Sequence, residues 1–350
     1  MLEGLHITPE ILRLIAEIDE FKGRWRALKN LAPERLNGLR RVATIASIGS
    51  STRIEGAKLT DREVEELLGD VGSQSFASRD EQEVAGYAEA VERVFAAWES
   101  IPLTENYVKQ LHQILLQFSN KDERHRGQYK TLDNHVQATG ENGQVIGIVF
   151  ETASPFDTPR LMEDLTVETK TELEENTLHP LIVIGAFIVR FLAIHPFQDG
   201  NGRLSRILTT LLLLRAGYAY VPYSSLEAIV EENKERYYLA LRRTQSTLNS
   251  DNPVWEPWLI FFLRTLHKQA ERLERKIERE HVIADAMPPL SEKIIELVRD
   301  HGRIATGEIK KLTGESRSTI KVRLAELVEA GHLLRHGKGR STWYSLGRGE

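Results

Sequence analysis

Apolar residues recur at helical spacing along most of the chain. They stand three or four positions apart, as in helices that bury one face. The four clearest stretches before the middle of the chain are residues 9–27, 36–54, 81–98 and 106–116. Helical spacing resumes over 180–273, where residues 181–194 are almost wholly apolar and predict a buried helix. A second apolar helix is predicted over 204–214, with Gly217 as its end cap. The pattern therefore predicts a mainly α protein.

One segment breaks the helical pattern. Over residues 126–150, glycines interrupt short apolar or alternating runs. Asn142-Gly143 stands between two such runs, and this pair favours the type I′ turn of a β-hairpin. Pro155 and Pro159 then lead into another helix near Leu161. We therefore predict one small hairpin within a helical core.

The chain predicts a separate C-terminal domain. A charge-dense stretch at 271–280 runs into Met287-Pro288-Pro289, a stiff break typical of a domain boundary. Three helices are predicted beyond it, at 291–300, 305–312 and 317–330, followed by a hairpin at 333–346 with a basic glycine tip. Three helices and a basic hairpin resemble a winged helix-turn-helix. The predicted domains are 1–100 (helical), 101–286 (core) and 287–350 (winged helix).

Composition narrows the classes of chemistry. The 350 residues contain no Cys, which excludes disulfides, thiolate catalysis and Cys-ligated zinc. The apolar stretch at 181–194 contains Arg190 and is too short to span a bilayer, and residues 1–6 lack the pattern of a signal peptide. We expect a cytoplasmic protein with no membrane partner.

Charge is distributed unevenly. Residues 289–350 contain 12 Lys and Arg against 8 Asp and Glu, a net charge of +4. The rest of the chain contains 34 Lys and Arg against 43 Asp and Glu, a net charge of −9. A basic tail on an acidic body indicates that the tail has a partner of its own.

The candidate chemistry is concentrated in the run His195-Pro-Phe-Gln-Asp199-Gly200-Asn201-Gly202-Arg203-Leu-Ser-Arg206. The run lies between the two apolar helices, so it is a tight turn that opens a helix. Glycines let the backbone approach a ligand closely, and the free N–H groups of a helix N-terminus bind anions. Arg203 and Arg206 stand three apart and can both face an oxyanion. These residue types together predict a phosphate site beside a base and a carboxylate.

The same run resembles the signature of the Fic (filamentation-induced-by-cAMP) family, H-P-F-x-[DE]-G-N-G-R-x-x-R, and matches every fixed position. The resemblance implies a helical Fic core that moves AMP from ATP to a hydroxyl of a protein. It assigns His195 as general base and Asp199 as ligand of Mg²⁺. It assigns nucleotide binding to the following residues: Gly200, Asn201, Gly202, Arg203, Arg206, Asn233, Tyr237 and Tyr238.

A second motif stands near the N-terminus. Ser51, Glu55 and Gly56 fit the family's inhibitory pattern [ST]-x-x-x-E-[GN], in which the Glu pairs with the second signature Arg. The resemblance implies that Glu55 holds Arg206 away from the γ-phosphate of ATP. Read without the resemblance, Glu55 is an ordinary solvated residue in the last turn of a helix.

The resemblance also implies partners. A protein substrate would dock on the hairpin as on the flap of the family. The chain's own hydroxyls are a second candidate substrate. A second copy of the chain is a candidate partner in a homodimer. In the tail, duplex DNA would meet a recognition helix and a wing. The residues assigned to DNA are Arg317, Ser318, Thr319, Lys321, Lys338 and Arg340. Alternatively, the tail contacts only protein.

We therefore predict a protein adenylyltransferase that modifies Ser, Thr or Tyr and is inhibited by Glu55. Three alternatives stay open. The first is removal of AMP, the second is transfer of another phosphate-bearing group, and the third is a DNA-binding regulator whose core senses a nucleotide.

Overall fold

The computed structural model describes the chain except for residues 1, 3, 29–32, 70–75, 77, 140–144, 286–287, 338, 340–341 and 348–350. Asn142-Gly143, Met287, Lys338 and Arg340 therefore lie outside the described residues. The chain divides into two compact units, Met1–Leu273 and Glu274–Glu350.

The first unit is helical apart from one hairpin. Its elements in chain order are α1 Pro9–Leu28, α2 Pro33–Ile54, α3 Asp61–Gly69, α4 Arg79–Ala97, α5 Glu105–Leu115, β1 Val136–Thr139, β2 Val145–Phe150, α6 Thr158–Glu175, α7 Pro180–Ile194, α8 Asn201–Arg215, a 3-10 turn Val221–Tyr223, α9 Leu226–Glu232, α10 Lys234–Gln245 and most of α11, Glu256–Asp285. The helices predicted from apolar spacing are all present, within a few residues of their predicted bounds.

The core is built around α7, because that helix is apolar on every side. It packs against α6, α8 and α10. Helix α11 presses on it at Gly185, where a Cβ would lie 2.8 Å from Leu259 and where Trp258 donates to the carbonyl of Gly185 at 2.7 Å. This packing fixes α7 in the core, and the signature turn begins at its C-terminal end.

Helix α2 reaches the same region from the N-terminal side. It packs against α4, α8, α9 and the 3-10 turn. It ends where Gly56 adopts φ +109° and the amide of Ala57 returns to the carbonyl of Thr52. The last turn of α2, with Ser51 and Glu55, therefore faces the start of α8.

Strands β1 and β2 form the predicted antiparallel hairpin. The pairing joins Val136 to Phe150 and Thr139 to Val145, with two register shifts between them. Strand β2 contacts α10, which places the hairpin beside the signature turn.

The second unit holds a core of its own. Its elements are the end of α11, α12 Pro289–His301, β3 Ile304–Ala305, α13 Thr306–Thr313, α14 Arg317–Glu329, β4 Leu333–His336 and β5 Trp343–Leu346. The strands form an antiparallel sheet in the order β3-β5-β4. Ile294, Ile309, Ile320 and Leu333 are fully buried among its elements. The predicted fold class, mainly α with a small hairpin and a helix-plus-hairpin tail, is confirmed. Among the described residues, no helix is long and apolar enough to cross a membrane.

Candidate active site

His195 caps the end of α7 in a left-handed conformation. Its φ is 52°, and its amide donates to the carbonyl of Phe191 at 2.9 Å. Nδ1 lies 3.3 Å from the carbonyl of Leu192, which can only accept, so Nδ1 carries the proton. Nε2 is then an acceptor. Burial lowers the pKa of the imidazole to about 4, so His195 is neutral near pH 7.

The turn after His195 is closed by Asn201. The side chain of Asn201 accepts from the amide of Phe197 at 2.9 Å and donates to its carbonyl at 2.7 Å. Gly200, at φ 80°, precedes the first turn of α8. The amides at the start of α8 are therefore available to an anion, while the Asn201 side chain is used to hold the loop.

His112 of α5 supports the signature turn through contacts with Phe197 and Asp199. Its ring stacks on that of Phe197 with centroids 3.8 Å apart. The amide of Gly127 donates to Nδ1 at 3.0 Å, so Nε2 carries the proton and donates to the carbonyl of Asp199 at 3.0 Å. Burial lowers the pKa of His112 to about 4, which keeps this hydrogen-bonded tautomer neutral.

Asp199 and Arg203 belong to one ionic network. Arg203 is 2 % exposed and places one Nη 3.1 Å from Asp199 and the other 3.0 Å from Glu83. Arg79 joins the two carboxylates from the solvent side, at 2.7 Å from Glu83 and 3.5 Å from Asp199. Burial raises the pKa of Asp199, but Arg203, the amide of Gly200 and Arg79 together lower it, so the carboxylate is ionised. In this structure Arg203 is thus engaged with carboxylates.

Arg206 is held by the last turn of α2. Its Nε donates to the Ser51 hydroxyl at 2.7 Å, and one Nη donates to the Ser51 carbonyl at 2.9 Å and to Glu55 at 2.7 Å. The other Nη is buried without a hydrogen-bond partner. Glu55 also lies over the start of α8, because a Cβ on Gly202 would be 2.2 Å from its Oε1. Glu55 and Ser51 therefore occupy the place where the helix and Arg206 would meet an anion.

Glu55, His195 and Asp199 share a cavity of about 530 Å³, a size usual for small-molecule sites, whereas Arg206 does not line it. Its polar side carries Glu55, His195, Asp199 and the turn at 200–203. Its other wall is one face of α10 and the end of α7. The residues of that wall are Leu192, Tyr237, Tyr238, Leu241, Arg242 and Gln245.

The structure brings together most of the predicted nucleotide residues but not all of them. Tyr238 lines the cavity and is 43 % exposed. Tyr237 is buried behind Arg206, and this burial raises its pKa. Asn233 does not line this cavity; it stands between α9 and α10, where its side-chain Nδ2 donates to the carbonyl of Ile229 at 2.8 Å. Its position indicates a helix-end role.

A metal would need the substrate to complete its ligands. No cluster of three or more His, Asp or Glu side chains that could hold a metal occurs in the described part of the chain. One ionised carboxylate facing the cavity nevertheless suits Mg²⁺, which commonly binds one or two carboxylates together with substrate phosphates. Asp199 fits that use.

The predicted DNA residues that the structure describes lie at the start of α14. Ser316 caps this helix, accepting from the amide of Thr319. Arg317, Ser318, Thr319 and Lys321 are all exposed. The opposite face of α14 is buried in the core of the second unit.

Sequence reasoning missed several residues that shape the site. Four residues contact the signature run, or the residue just before it, from 61 to 120 positions away in sequence. They are His112, Lys130, Asn134 and Glu83. Glu83 is a buried acid on the apolar face of α4, and that was a readable signal. The others stand in irregular segments or on an ordinary helix face, where apolar spacing carries no information.

Comparison with known proteins agrees with this geometry. The model of the Fic/DOC family matches residues 102–213, and that of the C-terminal domain of a transcriptional regulator, DIP2311-like, matches residues 290–347. The Drosophila grimshawi protein adenylyltransferase Fic is 27 % identical over 232 residues, 66 % of this chain and 44 % of that protein. Its Drosophila virilis counterpart is 25 % identical over 295 residues, 81 % of this chain and 56 % of that protein.

The chain thus spans about half the length of these curated relatives. A crystal structure of a Fic family protein from Desulfovibrio desulfuricans G20 superposes with a TM-score of 0.64 at 26 % identity, covering 100 % of both chains. The signature, the helical core and these matches show that the chain contains a Fic domain, which the family model matches over residues 102–213.

Proposed function

We propose that this protein is an adenylyltransferase that moves AMP from ATP to a Ser, Thr or Tyr hydroxyl of a protein, and that Glu55 restrains it. One observation carries the proposal. An imidazole with a free Nε2 and the N-terminus of α8 face the same cavity, together with an ionised carboxylate. The sequence relatives named protein adenylyltransferase support the same reaction.

The chemistry follows from this arrangement. The hydroxyl oxygen attacks the α-phosphorus of ATP, and the bond to the oxygen that bridges the α- and β-phosphates breaks. The hydroxyl proton passes to Nε2 of His195, while pyrophosphate leaves with the electron pair of the broken bond. The N-terminus of α8 stabilises the charge on the phosphates because its amides have no helical partners. Asp199 would hold Mg²⁺, which would supply further positive charge to the phosphates.

Restraint follows from competition for Arg206. The guanidinium is charge-paired with Glu55 at 2.7 Å and cannot grip a γ-phosphate at the same time. The N-terminus of α8 is covered by the same carboxylate. ATP must displace Glu55 before it binds with its triphosphate in line for transfer.

The experiment compares wild type with Glu55→Gly in the presence of ATP and Mg²⁺. A charge-assisted bond of about 1.5–3 kcal/mol is lost, so transfer should rise roughly ten- to a hundredfold. Mass spectrometry would detect AMP on the chain itself or on proteins of a cell extract. Glu55→Gly with His195→Ala should lose the modification, and Glu55→Gly with Arg206→Ala should lose most of the gain.

The proposal is wrong if Glu55→Gly adds AMP neither to itself nor to any protein of the extract and releases no pyrophosphate from ATP. The rival reaction is tested with the AMP-modified product of that experiment. If wild type removes the AMP group and Glu55→Gly does not, Glu55 orients water for hydrolysis.

We also propose that the second unit binds DNA, so that the chain is an enzyme joined to a regulator-type module. The match of residues 290–347 to a domain of transcriptional regulators supports this function. The exposed, basic start of α14 supports it as well.

A further inference from the structure

Lys130 is a buried cation beside the loop that holds the base. It is 3 % exposed, and none of the carboxylates in the described part of the chain forms an ion pair with it. Its ammonium group donates to Asn134 Oδ1 at 2.8 Å, to Thr152 Oγ1 at 3.0 Å and to the carbonyl of Ile194 at 3.0 Å. When all three donors of a buried lysine are used by neutral acceptors, the ammonium group fixes the positions of those acceptors relative to one another.

The short segment 130–134 fixes the backbone around His195. The amide of Lys130 donates to the carbonyl of Pro196 at 2.8 Å. The side chain of Asn134 donates to the carbonyl of His195 at 3.2 Å and to that of Phe197 at 2.6 Å. With the ammonium bond to Ile194, all four carbonyls from 194 to 197 are held by two residues.

Such support has a physical reason. A non-glycine residue at φ 52° is strained, and this conformation persists only when its surroundings determine it. The bonds from Lys130 and Asn134 act on the residues on both sides of that strained position. The third acceptor of Lys130 is Thr152, which lies two residues beyond the end of β2 and so joins the base of the hairpin to the loop.

We propose that Lys130 is the positioning residue for His195, holding the imidazole in line with the target hydroxyl and tying the loop to the base of the hairpin. The proposal rests on the transfer reaction proposed above. It adds that alignment of the base depends on a residue outside the signature and more than 60 positions before it.

Charge gives Lys130 a second effect on the base. Burial is the main cause of the low pKa of His195, about 4, and the Lys130 cation acts in the same direction. Glu55 on α2 and Asp199 on the loop act against it. Removal of the Lys130 charge should therefore raise the pKa of His195 and leave those carboxylates in place.

The test compares Lys130→Met with Lys22→Met as a matched control. Lys22 is a half-buried lysine of the same unit that also donates to a carbonyl, that of Ala216, at 2.9 Å. Both variants are made in the Glu55→Gly chain. Lys130→Met should lower kcat about tenfold to a hundredfold, as small misplacements of reacting groups do. Its Kd for ATP, by calorimetry, should stay unchanged, and Lys22→Met should keep both values.

A second arm needs no activity. The imidazole of His195 is titrated by NMR, its signal being identified by its absence in His195→Ala. Its pKa should be higher in Lys130→Met than in wild type, and Lys130→Arg should restore the wild-type value. Thr152→Val, which removes one acceptor with little change of shape, should lower kcat in the same direction but less.

The two arms separate the two proposals. If no variant transfers AMP but the titration moves as expected, the transfer reaction is wrong and Lys130 still acts on His195. If Lys130→Met and Thr152→Val keep kcat, or if Lys130→Met leaves the His195 titration in place, the positioning role is wrong. If Lys22→Met loses as much kcat as Lys130→Met, the positioning role is also wrong, because lost stability then explains both losses.

Discussion

His112 shows how a single residue outside the signature can support the site. It is fully buried, it stacks on Phe197, and both of its ring nitrogens are used by the backbone of Gly127 and Asp199. Only the neutral ring with the proton on Nε2 can make both bonds. Protonation of Nδ1 would break the bond from Gly127 and bury a charge beside Arg203, so acid should weaken the turn.

This residue predicts a pH dependence of stability. Burial lowers the pKa of His112 to about 4, below its ordinary value of 6.5, so the unfolded chain binds a proton between those two values and the folded chain does not. The stability is complete above about pH 6.5 and is lost progressively as pH falls toward 4, by about 3 kcal/mol at most. His112→Gln should therefore be less stable than wild type at pH 7 but lose less stability on acidification.

Urea unfolding at pH 7 and pH 5 checks this expectation. A Trp343→Phe background removes the tryptophan of the second unit, so the remaining ones report on the first unit. An equal loss of stability in wild type and His112→Gln would show that His112 does not cause the dependence.

At the scale of elements, α2 is fixed to the core by a residue inside the inhibitory motif. Arg53 forms a bidentate pair with Glu231 of α9, at 2.7 and 3.0 Å, and a further pair with Asp61 of α3 at 2.9 Å. Arg53 stands between Ser51 and Glu55, both of which contact Arg206. The end of α2 therefore has two attachments, one to Arg206 of α8 and one to α9 and α3.

We predict that Arg53→Ala raises transfer although Arg53 does not touch the cavity. Suppose that this change destabilises the position of α2 in which Glu55 contacts Arg206 by about one or two kcal/mol. The population in which Arg206 is released would then rise about five- to thirtyfold. Glu231→Ala should act in the same way, and the double variant should show no further gain, because both changes break one contact. Rates of AMP transfer at fixed ATP measure this.

The control is Arg62→Ala, which breaks an exposed pair with Glu66 on α3 and should leave the rate unchanged. In the Glu55→Gly background Arg53→Ala should add little, since the contact of Glu55 with Arg206 is already lost. A rate for Arg53→Ala equal to wild type would mean that the pair of Arg53 with Glu231 does not hold α2 in place.

The elements also show what the sequence could and could not predict. Apolar spacing is a local property of the chain, so α1, α7 and α14 were readable within a few residues. The signature and the inhibitory motif were readable because their residues are close in sequence. Lys130 and His112 act on the loop from 64 or more residues away through hydrogen bonds to carbonyls. Neither the position nor the type of such a residue follows from periodicity.

At the scale of the whole molecule, the chain carries two cores that are built independently. Leu204, Ile207 and Phe187 are buried in the first unit, and Ile294, Ile320 and Leu324 are buried in the second. Each unit has its own strands and its own candidate ligand surface. The net charge of residues 289–350 is opposite in sign to that of the rest of the chain. If both proposed functions hold, transfer of AMP and contact with DNA should therefore be separable by mutation.

The last prediction concerns the surface of α14. Ile320 and Leu324 turn into the core, so Arg317, Ser318 and Lys321 face solvent at the start of the helix. Cations at this place can bind phosphates and release counterions, which makes binding weaker as salt rises. The full chain should bind a labelled DNA duplex of mixed sequence at low salt. The plot of log K against log salt should lose about 0.9 of its slope for each phosphate contact that is removed.

The double variant Arg317→Ala with Lys321→Ala should therefore reduce the slope of that plot by the amount expected for about two phosphate contacts. It should leave the rate of AMP transfer unchanged. The matched control removes the same number of positive charges from the first unit, at Arg13 and Arg62, both exposed. If binding depended only on net charge, the control would flatten the plot equally. If the duplex is not bound at low salt, or if the slope of the α14 variant equals that of wild type, this surface does not bind DNA phosphates, because each phosphate contact contributes to the slope.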